Sequence, residues 1–197
     1  MPKLRESFRL RLLDVAPQSP EGDDEIVHAD VRDVDAMTGA CVGVRAVVHL
    51  AAEHDEADFR SLLLPKNIDG TWSAYETAVR ARTPRFVFAS SVQAVGPASV
   101  YGCTKVFGEA LGRYHADHSG LGVACLRMGA VRAPEDPASH ALRSFWCGAG
   151  DLARLLVAAV LSDVPFALVH AVSPPATERF DTSNPFGWTP SERPAAA

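Results

Sequence analysis

Apolar residues fall into short runs separated by stretches of mixed polarity, and the period of each stretch predicts its element. Phe8 to Val15 (Phe-Arg-Leu-Arg-Leu-Leu-Asp-Val) alternates and ends on an acid, which predicts a strand. Ile26 to Asp30 predicts a second short strand. Arg45 to Leu50 and Arg85 to Ala89 are continuous β-branched or aromatic runs, the pattern of strands buried on both faces of a parallel sheet. Val123 to Met128 and Phe166 to Val169 predict two further strands. Helical spacing covers Asp33 to Cys41 with Asp33 as cap, Asn67 to Arg82, Tyr101 to Ser119 closed by Gly120, and Asp151 to Leu161. Strands alternating with helices predict an α/β fold, a parallel sheet with helices on both faces. No repeat, low-complexity tract or linker interrupts the pattern. From Pro174 onward the chain is rich in Pro, Ser and Thr. One domain over residues 1–173 is therefore expected, followed by a surface segment over 174–197 whose last residues fray.

Composition narrows the function classes. A length of 197 residues fits one domain, and 47% hydrophobic residues suffice for a sizeable core. The net charge of −5, with no basic stripe, argues against a nucleic-acid partner. Cys41, Cys103, Cys125 and Cys147 lack metal-ligand spacing and read as free thiols in a reducing cytoplasm, so no metal site is expected. Met1 leads into Pro-Lys-Leu-Arg-Glu without an apolar signal core, and no run is long enough to span a bilayer.

The chemistry concentrates at Tyr101-Gly-Cys-Thr-Lys105. A Tyr four residues before a Lys at a helix start puts a phenol and an ammonium on one helix face. The ammonium lowers the phenol pKa, so the phenol can pass protons near neutral pH. Other polar residues have plainer readings. His115 and His118 sit at a solvated helix end, His49 is a core histidine, and Glu53, Asp55 and Glu56 form a solvated loop.

A series of short motifs is strung in order along most of the chain. They are Leu13-Asp14, Asp30-Val-Arg-Asp33, His49-Leu-Ala-Ala52, Asn67-Ile-Asp-Gly70-Thr71, Phe88-Ala-Ser-Ser91, Tyr101-x-x-x-Lys105 and Leu126-Arg127. In this order the chain resembles the extended short-chain dehydrogenase/reductase family, of the NAD-dependent epimerase/dehydratase type. Phe145-Trp146 before Asp151-Leu-Ala-Arg154, with Phe186-Gly-Trp188-Thr-Pro190 near the end, is similar to the uronate dehydrogenase branch. The resemblance implies a Rossmann-like sheet, NAD as cofactor and a sugar-like or polyol substrate. It implies Tyr101 as general acid/base, Lys105 as the group that lowers its pKa and holds the nicotinamide ribose, and Ser91 as hydrogen-bond partner of the substrate oxygen. Asp14 would accept from the adenosine ribose and so favour NAD over NADP, with Asp30 and Val31 near the adenine. Leu50, Ala51, Ala52 and Asn67 would line the cofactor, while Ser90, Gln93, Met128 and Arg143 would face the substrate. It further implies a homodimer through the helices at 67–82 and 101–119.

Three features depart from the family pattern. The family opens on a strand and a Gly-x-x-Gly-x-x-Gly turn that holds the pyrophosphate. Here Met1 to Ser7 reads as the tail of the helix after that turn, so the domain is expected to be N-terminally truncated, with a gap in the sheet or with neighbouring strands closed up. Tyr101 follows Ser91 by only ten positions. They reach about 33 Å when extended, enough for the two to meet with a smaller substrate wall. The branch's carboxylate-binding arginine aligns with Ala141, leaving Arg143 or Arg132 to bind an anionic group. Three functions follow. The first is an NAD-dependent dehydrogenase or epimerase/dehydratase. The second is a cofactor-independent cyclase, dehydratase or isomerase of secondary metabolism on the same scaffold. The third is a non-catalytic binding or dimerisation partner.

Overall fold

The computed structural model describes residues 2–54, 57–136, 138 and 141–195; Asp55 and Glu56, expected in a solvated loop, fall outside them. The first elements are α1 (Pro2–Arg5), β1 (Arg11–Asp14), β2 (Glu25–His28), α2 (Val34–Cys41) and β3 (Ala46–His49). Then come α3 (Gly70–Arg80), β4 (Arg85–Ser91), α4 (Val100–His118) and β5 (Gly122–Met128). Short strands β6 (Ala130–Arg132) and β7 (Trp146–Gly148) precede α5 (Ala149–Leu161) and β8 (Phe166–Ala171). No described helix is long and apolar enough to cross a membrane.

All the pairings are parallel, as the alternation of elements predicts, but the described strands do not form one sheet. β3, β4, β5 and β8 hydrogen-bond in that order, β1 pairs only with β2, and β6 pairs with β7. No ladder joins β1 to β3, so of the two expected outcomes the structure shows the gap. The break is bridged by helices instead, α1 against α5 and α2 against α3. The consequence shows in burial. Phe86, Val87 and Phe88 of β4 are at most 1% exposed. Leu12, Leu13, Val47 and Val48, on the strands that border the break, are only half-buried.

β4 and β5 divide two cores by the two-residue period of the strand. Val87, Ala124, Leu126 and Val169 face α5, whereas Phe86, Phe88, Val123 and Cys125 face α3 and α4. Asp33 caps α2 by accepting the Ala36 N–H, and Gly120 closes the stretch after α4 at φ +70°. α4 lies close on β4 because of its glycines: a Cβ on Gly108 would run into the Phe88 ring. Gly108→Ala is therefore expected to cost about 1–3 kcal/mol through overpacking. At this size that lowers Tm by roughly 2–12 °C, measured by thermal melting.

Three features differ from the expected elements. The helix predicted from Asn67 begins as a wide-turned segment over Phe59–Asp69, in which Leu63 donates to Asp58 and Gly70 to Pro65, five residues back. Pro65 has no N–H for the tighter ladder, which locally favours this wider one. β6 and β7 are too short to carry a periodic signal. The segment after Pro174 is not purely superficial: Trp188 is 7% exposed and joins the core under α5. Its indole N–H donates to the Asp151 carbonyl. The fully buried Asp151 carboxylate accepts the Ser173 hydroxyl at 2.6 Å and the Ser191 and Glu192 amides at 3.0 and 2.9 Å, and pairs with Arg154.

Candidate active site

Ser91 ends β4, and Tyr101 and Lys105 occupy the first two turns of α4. The nine residues between Ser91 and Tyr101 fold into a tight turn, not an extended loop. Val92–Ala94 forms a single 3-10 turn, and the Ser91 hydroxyl oxygen accepts the Gln93 amide at 3.2 Å. Ser99 caps α4 by accepting the Gly102 N–H at 3.1 Å and donates its hydroxyl to Gln93 Oε1 at 3.1 Å. A Cβ on Gly102 would lie 2.5 Å from the Gln93 carbonyl oxygen, so the first turn of α4 abuts the end of β4.

Lys105 is 5% exposed. Its Nζ donates to the Ala89 carbonyl at 2.9 Å and lies 5.4 Å from both the Tyr101 and Phe88 ring centroids. Burial lowers its pKa from 10.5 to about 8, so at neutral pH it is an ammonium held beside the Tyr101 ring. A buried cation favours the phenolate over the phenol. Ser91 is 8% exposed and accepts the Gln93 amide, which leaves its own O–H as donor to an incoming oxygen. The register sets Met128, at the end of β5, directly beside Ser91.

The remaining expected site residues divide into those at strand ends and those engaged within the protein. Asp14 ends β1 and is exposed, its Oδ1 accepting the Ala16 amide at 2.9 Å. Asp30 follows β2, where Arg32 bonds it and pushes its pKa down to about 2. Leu50, Ala51 and Ala52 form an exposed ledge beyond β3, with Leu50 46% exposed. Val31 packs against the start of α3, its Cγ1 at 2.8 Å from where a Gly70 Cβ would stand. Asn67 is 2% exposed and turned inward. Its amide nitrogen donates to Thr104 Oγ1 and the Glu53 carbonyl, and its oxygen accepts the Glu53 N–H at 2.7 Å. It thereby ties the ledge to α4. Ser90 is also committed internally, donating to Glu109 at 2.5 Å. Arg143 is exposed in the connection between β6 and β7, and Arg132 faces Asp136 at 3.6 Å. His49 is buried against Thr71 and Phe88, and desolvation lowers its pKa to about 3, which keeps it neutral. From the sequence no site role is expected of Glu109 and Arg127, although Leu126-Arg127 is one of the ordered motifs and Glu109 continues the four-residue spacing of Tyr101 and Lys105.

The residues at the ends of β1, β3, β4 and β5 thus all lie at the carboxyl ends of parallel strands, where open α/β sheets bind ligands. Known proteins share this fold. The model of the NAD dependent epimerase/dehydratase family matches residues 4–151. An L-arabinose 1-dehydrogenase (NAD(P)(+)) of Haloferax volcanii is 34% identical over 92% of this chain and 89% of its own length. A uronate dehydrogenase of Pseudomonas syringae pv. tomato is 33% identical over 90% of this chain and 72% of its own. The crystal structure of a tyrosine-to-alanine mutant of uronate dehydrogenase from Agrobacterium tumefaciens, complexed with NAD, superposes with a TM-score of 0.82. It is 27% identical and covers 97% of this chain and 78% of that one. Sequence motifs, strand order and three-quarters of the chain's length lead to one family: the chain belongs to the NAD dependent epimerase/dehydratase family.

Proposed function

We propose that the chain is an NAD-dependent dehydrogenase of a sugar-like alcohol, with Tyr101, Lys105 and Ser91 as its acid/base set. The observation that supports it best is the Lys105 ammonium, buried, held by the Ala89 carbonyl and 5.4 Å from the Tyr101 ring centroid, beside the end of β4. Tyr101 as phenolate takes the proton from the substrate hydroxyl. Lys105 stabilises the phenolate, and Ser91 donates a hydrogen bond to the same substrate oxygen. NAD, when bound, supplies the hydride acceptor. Residues present fit it at its two sugar ends: Asp14, exposed at the end of β1, for the adenosine ribose, and Lys105 for the nicotinamide ribose. The uncovered apolar Leu50 and the small Ala51 and Ala52 offer a ledge for close approach. The sequence contains no Gly-x-x-Gly-x-x-Gly turn, so no residue is assigned to the pyrophosphate. Four free cysteines support a reducing, cytoplasmic setting.

Calorimetric titration with NAD, NADH and NADP tests this reading. Binding of NAD in preference to NADP, followed by NADH formation with a uronate, L-arabinose or glucose 6-phosphate, is the expected result. No binding by a folded sample would overturn it. The same acid/base set would then serve a cofactor-independent dehydration, cyclisation or isomerisation.

The partner reading is a homodimer through the helices at 67–82 and 101–119. It is supported by the apolar side chains those helices leave exposed, Trp72 (46%), Val106 (37%) and Tyr114 (54%). Sedimentation is expected to show twice the 21.0 kDa chain mass, and Trp72→Glu to halve it. A 21.0 kDa species at high concentration would remove the dimer.

A further inference from the structure

We infer that Glu109 and Arg127 are positioning residues for the Ser91–Tyr101–Lys105 set, acting as a carboxylate–guanidinium clamp that locks α4 onto β4 and β5. The inference rests on the acid/base reading of those three residues. Glu109 lies one turn beyond Lys105 and two beyond Tyr101, on the same face of α4. It is 8% exposed. Its Oε1 accepts the Ser90 hydroxyl at 2.5 Å and Arg127 Nε at 2.8 Å, and its Oε2 accepts Arg127 Nη2 at 2.7 Å. Ser90 and Arg127 are partners in the β4–β5 register, so one carboxylate joins two adjacent strands to the helix.

The next residue on each strand shows what the clamp serves. Ser90 precedes Ser91, and Arg127 precedes Met128, the register partner of Ser91. Lys105 is anchored to Ala89 in the same strand. The helix is therefore fastened to consecutive strand residues at two points, Lys105 to Ala89 and Glu109 to Ser90. Two points fix both the slide and the rotation of α4 over β4, and with them the separation between the phenol and the Ser91 hydroxyl. The bidentate pairing suits this task, since two parallel N–H···O bonds specify orientation as well as distance. The carboxylate has no evident role as a proton carrier, because the strand side chains already occupy both of its oxygens.

The test compares Glu109→Gln, Arg127→Lys, Ser90→Ala and Tyr101→Phe in the full chain. Glu109→Gln keeps the size of the side chain and an acceptor for Ser90 but releases the charge-assisted fork. It is expected to lower kcat about 10- to 100-fold with KM and NAD affinity nearly unchanged, since small misplacements at a reacting centre have effects of this order. Arg127→Lys, which keeps the charge but not the fork, should fall between this variant and the parent. A folded Glu109→Gln chain with parental kcat would overturn the clamp. Should Glu109→Gln not fold, Ser90→Ala, which removes a single bond, is expected to lower kcat several-fold, and parental kcat there overturns the clamp equally. A second readout needs no substrate: titration of tyrosinate absorbance, with the Tyr101 component identified by its loss in Tyr101→Phe. Burial raises the Tyr75 phenol well above its ordinary range and keeps it out of the way. In Glu109→Gln the Tyr101 component should move to higher pH as Lys105 loses its fixed place beside the ring, and an unmoved component counts against the clamp. The two levels fail separately. A fully active Tyr101→Phe sinks the acid/base reading and the clamp with it. An inactive Tyr101→Phe beside a fully active Glu109→Gln sinks the clamp alone.

Discussion

Tyr101→Phe is expected to lower turnover about 10²–10⁴-fold, the usual worth of a positioned acid/base group. The change removes one oxygen and leaves the ring, so Lys105 keeps an aromatic face 5.4 Å away and the first turn of α4 keeps its packing against the turn after β4. NAD affinity and Tm should therefore stay close to the parent, which separates lost chemistry from lost folding. Steady-state rates with the best sugar substrate, together with an NAD titration of the same sample, measure both. A variant that retains turnover within an order of magnitude would show that another group moves the proton. His49 is not ready to replace it: it is buried and held neutral, its pKa lowered to about 3 by desolvation.

Lys105→Met should abolish most activity and, at neutral pH, leave the chain at least as stable as the parent. Burial lowers the Lys105 pKa from 10.5 to about 8, so the folded state pays for keeping the ammonium charged. That shift corresponds to roughly 3 kcal/mol. Its sign follows from linkage. Between about pH 8 and 10.5 the unfolded chain holds the proton and the folded chain has released it, so parental stability rises with pH across this window. Below pH 8 the full cost is present, and above 10.5 it has vanished. Met removes the cost and leaves the Ala89 carbonyl without its donor, a loss of about 1–3 kcal/mol that does not depend on pH. The stability of Lys105→Met relative to the parent should therefore be greatest at neutral pH and decline by about 3 kcal/mol toward pH 10.5. Denaturant titrations at several pH values measure this. A difference that stays flat with pH would mean that the ammonium is not desolvated. In the parent enzyme the alkaline limb of the rate should fall near pH 8, as the cation that supports the phenolate is lost. An ammonium kept in place at a cost to the fold is characteristic of a site selected for chemistry.

Local signals in the chain were enough for the alternation of elements and for the pair on α4. β4 and β5 announce themselves as mainly apolar runs within one or two residues of their observed ends, because strands covered on both faces favour apolar side chains. Asp33 and Gly120 mark helix ends because capping and positive φ are properties of single residues. Tyr101 and Lys105 share a helix face by spacing alone. Distant partners are a different matter. The break between β1 and β3 follows from which strand lies beside which, and no period encodes that. Asn67 and Ser90 carry polar groups suited to a ligand, yet in the fold each finds an internal partner, Glu53 and Thr104 for one and Glu109 for the other. Arg127 meets Glu109 across eighteen residues only because the β4–β5 register places Arg127 beside Ser90 and the close approach of α4 brings Glu109 over both. Periodicity reports which side of an element is buried; whether a buried polar group serves a ligand or a neighbouring strand is settled by register and packing, which exist only once the chain has folded.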